Sequence, residues 1–156
     1  MTITEGKAAP AFTLVDERGE KVTLRALKGT KILLYFYPRD DTPGCTKEAC
    51  GFRDLQSRFA DQGVSILGIS PDNPDKHMNF IEKYDLNFSL LCDPDKAVMT
   101  KYGAFGEKMM YGKKTTGVIR STVLIDEQGK VLKHWPRVQK AAEHPAKVLA
   151  FIEEEA

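Results

Sequence analysis

Two of the three cysteines in this 156-residue chain stand close together, in the stretch Pro38–Cys50, PRDDTPGCTKEAC. An apolar run ends at Tyr37, a loop containing Pro and Gly follows, and a helical pattern begins with Cys45 at or near its start. Unpaired backbone N–H groups and the helix dipole favour negative charge there, so a thiol in that position is favoured as thiolate, its nucleophilic form. Cys50 follows five residues on. The chemistry to expect is that of a reactive thiol with a second thiol in attendance. Cys92 ends an apolar strand pattern before Asp93-Pro94 and reads as a small buried hydrophobe. No CxxC or zinc-ligand spacing is present, and His77, His134 and His144 lie far apart, so the ligand pattern proposes no metal.

The elements that must position Cys45 can be read on either side of it. Residues 11–23 predict a hairpin turning at Asp16-Glu17-Arg18-Gly19. Lys31–Tyr37 is a nearly continuous apolar and β-branched run of strand length, expected at the centre of a sheet covered on both faces. From Thr46 to about Asp61 the period becomes 3.6, with Ala49, Phe52, Leu55 and Phe59 on one face and Arg53, Asp54, Ser57 and Asp61 on the other. Gly63 stops that helix, and Val64–Ile69 is the next buried strand. A helix over about Asp75–Tyr84 is expected to pack through Met78, Phe80 and Ile81. A short strand at Phe88–Leu91 and a short helix at Asp95–Tyr102 come next, then a looser segment from Gly103 to Gly117. Val118–Ile125 and Lys130–Trp135 predict a second hairpin around Asp126-Glu127-Gln128-Gly129, and Pro145–Glu154 a closing helix. Strands alternating with helices imply an α/β fold, a mixed central sheet with helices on both faces and an N-terminal β-hairpin. No repeat or linker interrupts it, so residues 1–156 are expected to form a single domain.

Composition narrows the function classes. The 23 basic and 22 acidic residues are interspersed and give a net charge of +1, which speaks against nucleic acid or an anionic membrane as the main partner. The longest apolar run, Ile32–Tyr37, is far too short to span a bilayer. MTITEGKAAP lacks the charged-then-apolar pattern of a signal peptide, so a cytoplasmic location is expected. In that reducing compartment any disulfide should be transient and catalytic.

The sequence Pro38-Arg39-Asp40-Asp41-Thr42-Pro43-Gly44-Cys45 resembles the PxxxTxxC active-site motif of the peroxiredoxins. TPGCTKEAC, together with YFYP, LGISPD, GEKMMYGKK and GVIRSTVLID, is similar to the peroxiredoxin Q (bacterioferritin comigratory protein) branch, and the likeness covers most of the chain. It implies a thioredoxin-like fold and a peroxidase needing no metal, haem or flavin. It also implies that Cys45 is the peroxidatic nucleophile, attacking a peroxide oxygen and becoming a sulfenic acid. A free cysteine of pKa near 8.5 is ~3% thiolate at pH 7, so full ionisation is worth only about thirty-fold. The rest must come from holding the peroxide in line and stabilising charge on its departing oxygen. By the same resemblance Thr42 supplies a hydroxyl to sulfur and peroxide, Arg120 a fork of donors, and Pro38 a shield against water. The N–H groups of Gly44 and Cys45 add donors, and Glu48 orients the arginine.

Cys50 falls on the polar face of the predicted helix, an unusual place for a free cysteine. An intact helix would hold its Cα ~8.7 Å from that of Cys45, beyond the ~7 Å limit for a disulfide. If Cys50 is the resolving thiol the resemblance implies, the first turns of the helix must unwind in each cycle. Thioredoxin is the implied reductant, with glutaredoxin as an alternative, and the branch implies a monomer. Two rival readings keep the same fold: a thiol–disulfide oxidoreductase, disfavoured by the CxxxxC spacing, and a redox-sensing or chaperone-like protein switched at Cys45.

Overall fold

β-Branched and aromatic residues with no polar interruption make Lys31–Phe36 (β3) the central strand, and every residue from Ile32 to Phe36 is buried. The computed structural model describes residues 3–155. In chain order the remaining elements are β1 (Thr13–Val15), β2 (Lys21–Thr23), α1 (Pro43–Asp61), β4 (Val64–Ser70), α2 (Pro74–Tyr84), β5 (Ser89–Cys92) and α3 (Ala97–Lys101). They continue with β6 (Phe105–Met110), β7 (Lys113–Val118), β8 (Ser121–Ile125), β9 (Val131–Trp135) and α4 (His144–Glu155). Seven strands form one mixed sheet in the order β2-β1-β5-β4-β3-β8-β9. Parallel pairs β3–β4 and β4–β5 lie at its middle, and antiparallel pairs flank them. None of the described helices is long and apolar enough to cross a membrane.

Alternation along β3 divides the core in two. Ile32, Leu34 and Phe36 meet Leu67, Ile69, Val123 and Ile125 on the face covered by α3 residues Val98 and Met99. Leu33, Tyr35 and Tyr37 point to the opposite face, against Ala49, Phe52 and Phe59 of α1, Phe80 of α2 and Val148, Leu149 and Ile152 of α4. Tyr35 lies beside Gly68 of β4 in register, and a Cβ on Gly68 would stand 2.9 Å from the Tyr35 ring and 2.7 Å from Leu90. The missing side chain is what admits the tyrosine.

The structure departs from the sequence reading at three places. Residues 103–117 are not loose: β6 and β7 form a two-stranded hairpin turning at Tyr111-Gly112, both with positive φ (54° and 78°), the conformation hairpin turns favour. It stands apart from the main sheet, so most of its residues alternate between two exposed or half-exposed faces and leave no apolar period to read. Second, Val118–Ile125 is not one strand. Ile119 N–H donates to Ala104 O and Arg120 O accepts from Val138 N–H, so the chain leaves one sheet before joining the other, with Arg120 at the junction. Third, α2 packs through Phe80 and the half-buried Ile81 as expected, but its other buried residue is His77, and Met78 is only half-buried.

The loop between β3 and α1 is tied to α2 twice. Asp40 accepts from Tyr37 Oη at 2.5 Å and faces His77 Nδ1 at 2.6 Å, and its N–H donates to Asp72 at 2.8 Å. Asp41 adopts a left-handed backbone (φ 57°) that its short polar side chain tolerates, and accepts from Lys83 Nζ at 2.7 Å and Tyr84 Oη at 2.6 Å.

At the start of α4, His144 is buried with Nε2 2.7 Å from Thr122 Oγ1, its ring edge-on to Phe52 and Trp135. Burial first, then Arg120 and Lys147, pushes its pKa down to about 4 from the ordinary 6.5. A depressed histidine contributes stability that is present above its unfolded pKa and lost as pH falls through the folded one. Unfolding free energy is therefore expected to fall by about 3 kcal/mol from this residue between pH 6.5 and 4. His144→Gln should flatten that part of the pH profile in urea titrations. Gly68→Ala, which overpacks Tyr35 against Leu90, is expected to cost about 1–3 kcal/mol in the same measurement.

Candidate active site

Cys45 sits in the first turn of α1, just beyond the C-terminal end of the central strand, and is 1% exposed. The helix starts with Pro43 at its first position, where a missing N–H costs nothing. Thr42 is the N-cap residue by backbone, and its carbonyl accepts from Thr46 N–H at 2.8 Å. Helix geometry offers no intrahelical acceptor to the N–H groups of Gly44 and Cys45 in this first turn.

Arg120 reaches the thiol from the junction before β8. Its Nη2 lies 3.2 Å from Cys45 Sγ and its Nη1 donates to Glu48 Oε1 at 2.6 Å. Cys45 and Glu48 are three residues apart and therefore share a helix face. Gly44 gives the approach room, since a Cβ there would stand 3.2 Å from Arg120 Nη2, a tight contact that the guanidinium would have to ease by a few tenths of an ångström. Burial acts to lower the Arg120 pKa, but Glu48 and Cys45 more than offset it and hold the guanidinium above its ordinary value. Glu48 is fully buried, and burial pushes its carboxyl up to about 7 against the pull of Arg120. Its Oε2 has no hydrogen-bond partner among the described residues, nor has the hydroxyl of buried Tyr35. Burial, then Glu48, Asp40 and Cys45, raise the Tyr35 pKa well above its ordinary value.

The other sequence-selected residues are placed less uniformly. The Thr42 hydroxyl donates to Arg39 O at 3.1 Å rather than to the sulfur, and Pro38 is exposed. Cys50 is half-buried on the same unbroken helix as Cys45, and all three cysteines are free thiols. Cys92 is buried on β5, and burial, then Asp40, Asp16, Asp72 and Glu17, pushes its thiol up to about 12. It is thus held neutral, far from the poise of a nucleophile.

Sequence reasoning missed the group beneath the loop: Tyr37, Asp40, Ser70, Asp72 and His77. His77 donates Nε2–H to Leu91 O at 2.9 Å, because a carbonyl can only accept, which turns Nδ1 toward Asp40. Ser70 Oγ donates to Asp72 at 2.7 Å. One signal could have found this histidine: His77, Phe80, Ile81 and Tyr84 follow the i, i+3, i+4, i+7 pattern of a buried helix face. Ligand atoms of Asp40, Asp72 and His77 lie within 4.8 Å of one another, as in a metal cluster. Both nitrogens of His77 and both oxygens of Asp40 are already engaged by protein partners, so the group satisfies itself.

The chain as a whole is similar to known proteins. Residues 5–134 match the model of the AhpC/TSA family. Peroxiredoxin Bcp of Escherichia coli is 44% identical over 151 residues, covering 97% of this chain and 96% of that one. Peroxiredoxin Bcp of Bacillus subtilis is 43% identical over 154 residues, covering 99% and 98%. The bacterioferritin comigratory protein of Xanthomonas campestris, solved as trapped intermediate and ligand complexes, superposes with a TM-score of 0.88 at 36% identity, covering 97% of this chain and 99% of that one. The likeness runs over nearly the whole chain, which belongs to the AhpC/TSA family and, within it, to the peroxiredoxin Q (bacterioferritin comigratory protein) branch of thiol peroxidases.

Proposed function

We propose that Cys45 reduces hydrogen peroxide and small organic hydroperoxides, and that the oxidised enzyme is recycled through Cys50. One observation carries the reading: a buried sulfur at a helix N-terminus, 3.2 Å from a guanidinium. The thiolate attacks the terminal peroxide oxygen, an S–O bond forms as the O–O bond breaks, and Cys45 becomes a sulfenic acid. Arg120 suits the site because it stays charged and its fork can hold sulfur and peroxide together. The N–H groups of Gly44 and Cys45 take up charge on the oxygen side. In this reading the Thr42 hydroxyl turns from Arg39 O to the same oxygens when peroxide binds, and Pro38 limits access from solvent. The related Xanthomonas protein carries an alkyl peroxide reduction activity, which supports including organic hydroperoxides.

Cys50 resolves the sulfenic acid in this reading. It lies within the same helix as Cys45, so disulfide formation requires the first turns of α1 to open. Cys92, buried and held neutral, takes no part. The disulfide is returned to two thiols by an external dithiol protein, thioredoxin or alternatively glutaredoxin. The enzyme works as a cytoplasmic, single-domain monomer without nucleic-acid or membrane partners.

Cys45→Ser is expected to reduce peroxide consumption with a dithiol reductant to the uncatalysed background; consumption at the parent rate would remove the proposal. Cys50→Ser should give one turnover per chain and then stall at sulfenic acid until a small thiol is added. Amide exchange over residues 45–50 should be faster in the oxidised parent than in the reduced one, and equal protection in both states would refute the unwinding step.

A further inference from the structure

Two acids share one cation in this site. Arg120 places Nη1 on Glu48 and Nη2 on Cys45, and both acids are 99% or more buried. If thiolate and carboxylate were both ionised, a net negative charge would be left in a site with little water to solvate it. With one ionised, the site is neutral. The other titratable groups around Glu48, Arg120 and Tyr35 do not change this count. Tyr35 on β3 is a neutral phenol, Asp40 in the loop is engaged by Tyr37 and His77, and His144 on α4 stays uncharged at neutral pH. Lys147, one turn further along α4, is exposed.

We propose that Glu48 is the proton-holding partner of Cys45: it carries a proton while Cys45 is a thiolate and releases it when Cys45 becomes a neutral sulfenic acid. This rests on the thiol-peroxidase reading above. The step balances as Cys45–S⁻ + R–O–OH + Glu48–COOH → Cys45–S–OH + R–OH + Glu48–COO⁻. Sulfur loses two electrons, the O–O pair leaves with RO, and the proton that RO needs is matched by the one that Glu48 gives up. Arg120 keeps its charge throughout and only its counter-ion changes. When an external dithiol returns Cys45 to the thiol, the proton lost in reforming the thiolate goes back to Glu48. The orphan Oε2 fits the reduced state, because a bare neutral oxygen in the interior costs far less than a bare charged one. A carboxyl raised to about 7 by burial is poised to hold or release a proton at neutral pH. Glu48 is thus a positioning residue whose charge state follows the redox state of its neighbour.

Reduced-minus-oxidised infrared difference spectra of the whole protein test this. Peroxide should abolish one protonated-carboxyl C=O band per Cys45 oxidised, with a carboxylate band appearing in its place. Carbon-13 labelling of glutamate should shift that band, and Glu48 is the one glutamate among the fully buried polar side chains of the described residues. Glu48→Gln should lack the band altogether, and the isotope shift serves alone if that variant does not fold. Mass spectrometry of the same samples reports Cys45 oxidation. Oxidation without loss of a glutamate carboxyl band overturns the proposal. If peroxide leaves Cys45 unoxidised, the peroxidase reading is what fails. Alkylating Cys45 with iodoacetamide then removes the thiolate by another route and must still abolish the band, or the proton-holding role is refuted.

Discussion

A single positive charge, that of Arg120, sets the terms on which everything around Cys45 is arranged. It is four-fifths buried and faces a sulfur and a carboxyl from one side of a helix. A guanidinium cannot be neutralised in such a place, so the groups around it must supply the compensating charge. That requirement explains why α1 carries an acid three residues after its cysteine. The guanidinium passes close over Gly44, where a Cβ would stand 3.2 Å from its Nη2, and it enters from a break in the strand before Arg120. Were Ile119 and Arg120 to continue a straight strand, alternation would set the guanidinium by sheet register alone rather than by the junction that now aims it.

The sheet's middle exists to make that geometry reproducible. β3 delivers the loop, β4 gives up a side chain at Gly68 to seat Tyr35, and α1 and α4 clamp the same face. The thiol is therefore placed by packing in this conformation, although its chemistry belongs to a loop and a helix end. Loops that carry function commonly rest on scaffolds of this kind.

Much of this was legible in the sequence. The uninterrupted run through Ile32–Phe36, the 3.6 period from Ala49 to Phe59 and the Asp126–Gly129 turn each follow from strong local rules, and the elements stand where those rules place them. Cys45 and its approximate helix position could be read from type and spacing. Arg120 could not, because a lone arginine in a strand-like stretch has no local signature and was singled out only by resemblance. The β6–β7 hairpin was obscured because it buries little of either face, so hydrophobic alternation carried no information there. Periodicity could place His77 on the buried face of its helix, but not its partner: Asp40 lies in a segment 37 residues away, and no pattern within one segment reports that the two meet.

The paired ties of Asp40 and Asp41 to α2 have a kinetic consequence. Upstream of the thiol the chain is held at those two residues, and downstream it is held where Ala49 and Phe52 enter the core. Only the short stretch from Thr42 to Glu48 lies between the anchors. In a cycle where that stretch opens, Cys45 stays tethered within a few residues of Cys50. Short tethers of this sort give effective concentrations on the order of millimolar or higher, comparable to or above the free thiols of a cell. On the proposed resolution through Cys50, the length of this leash favours capture of the sulfenic acid within the chain over capture by thiols of the surroundings.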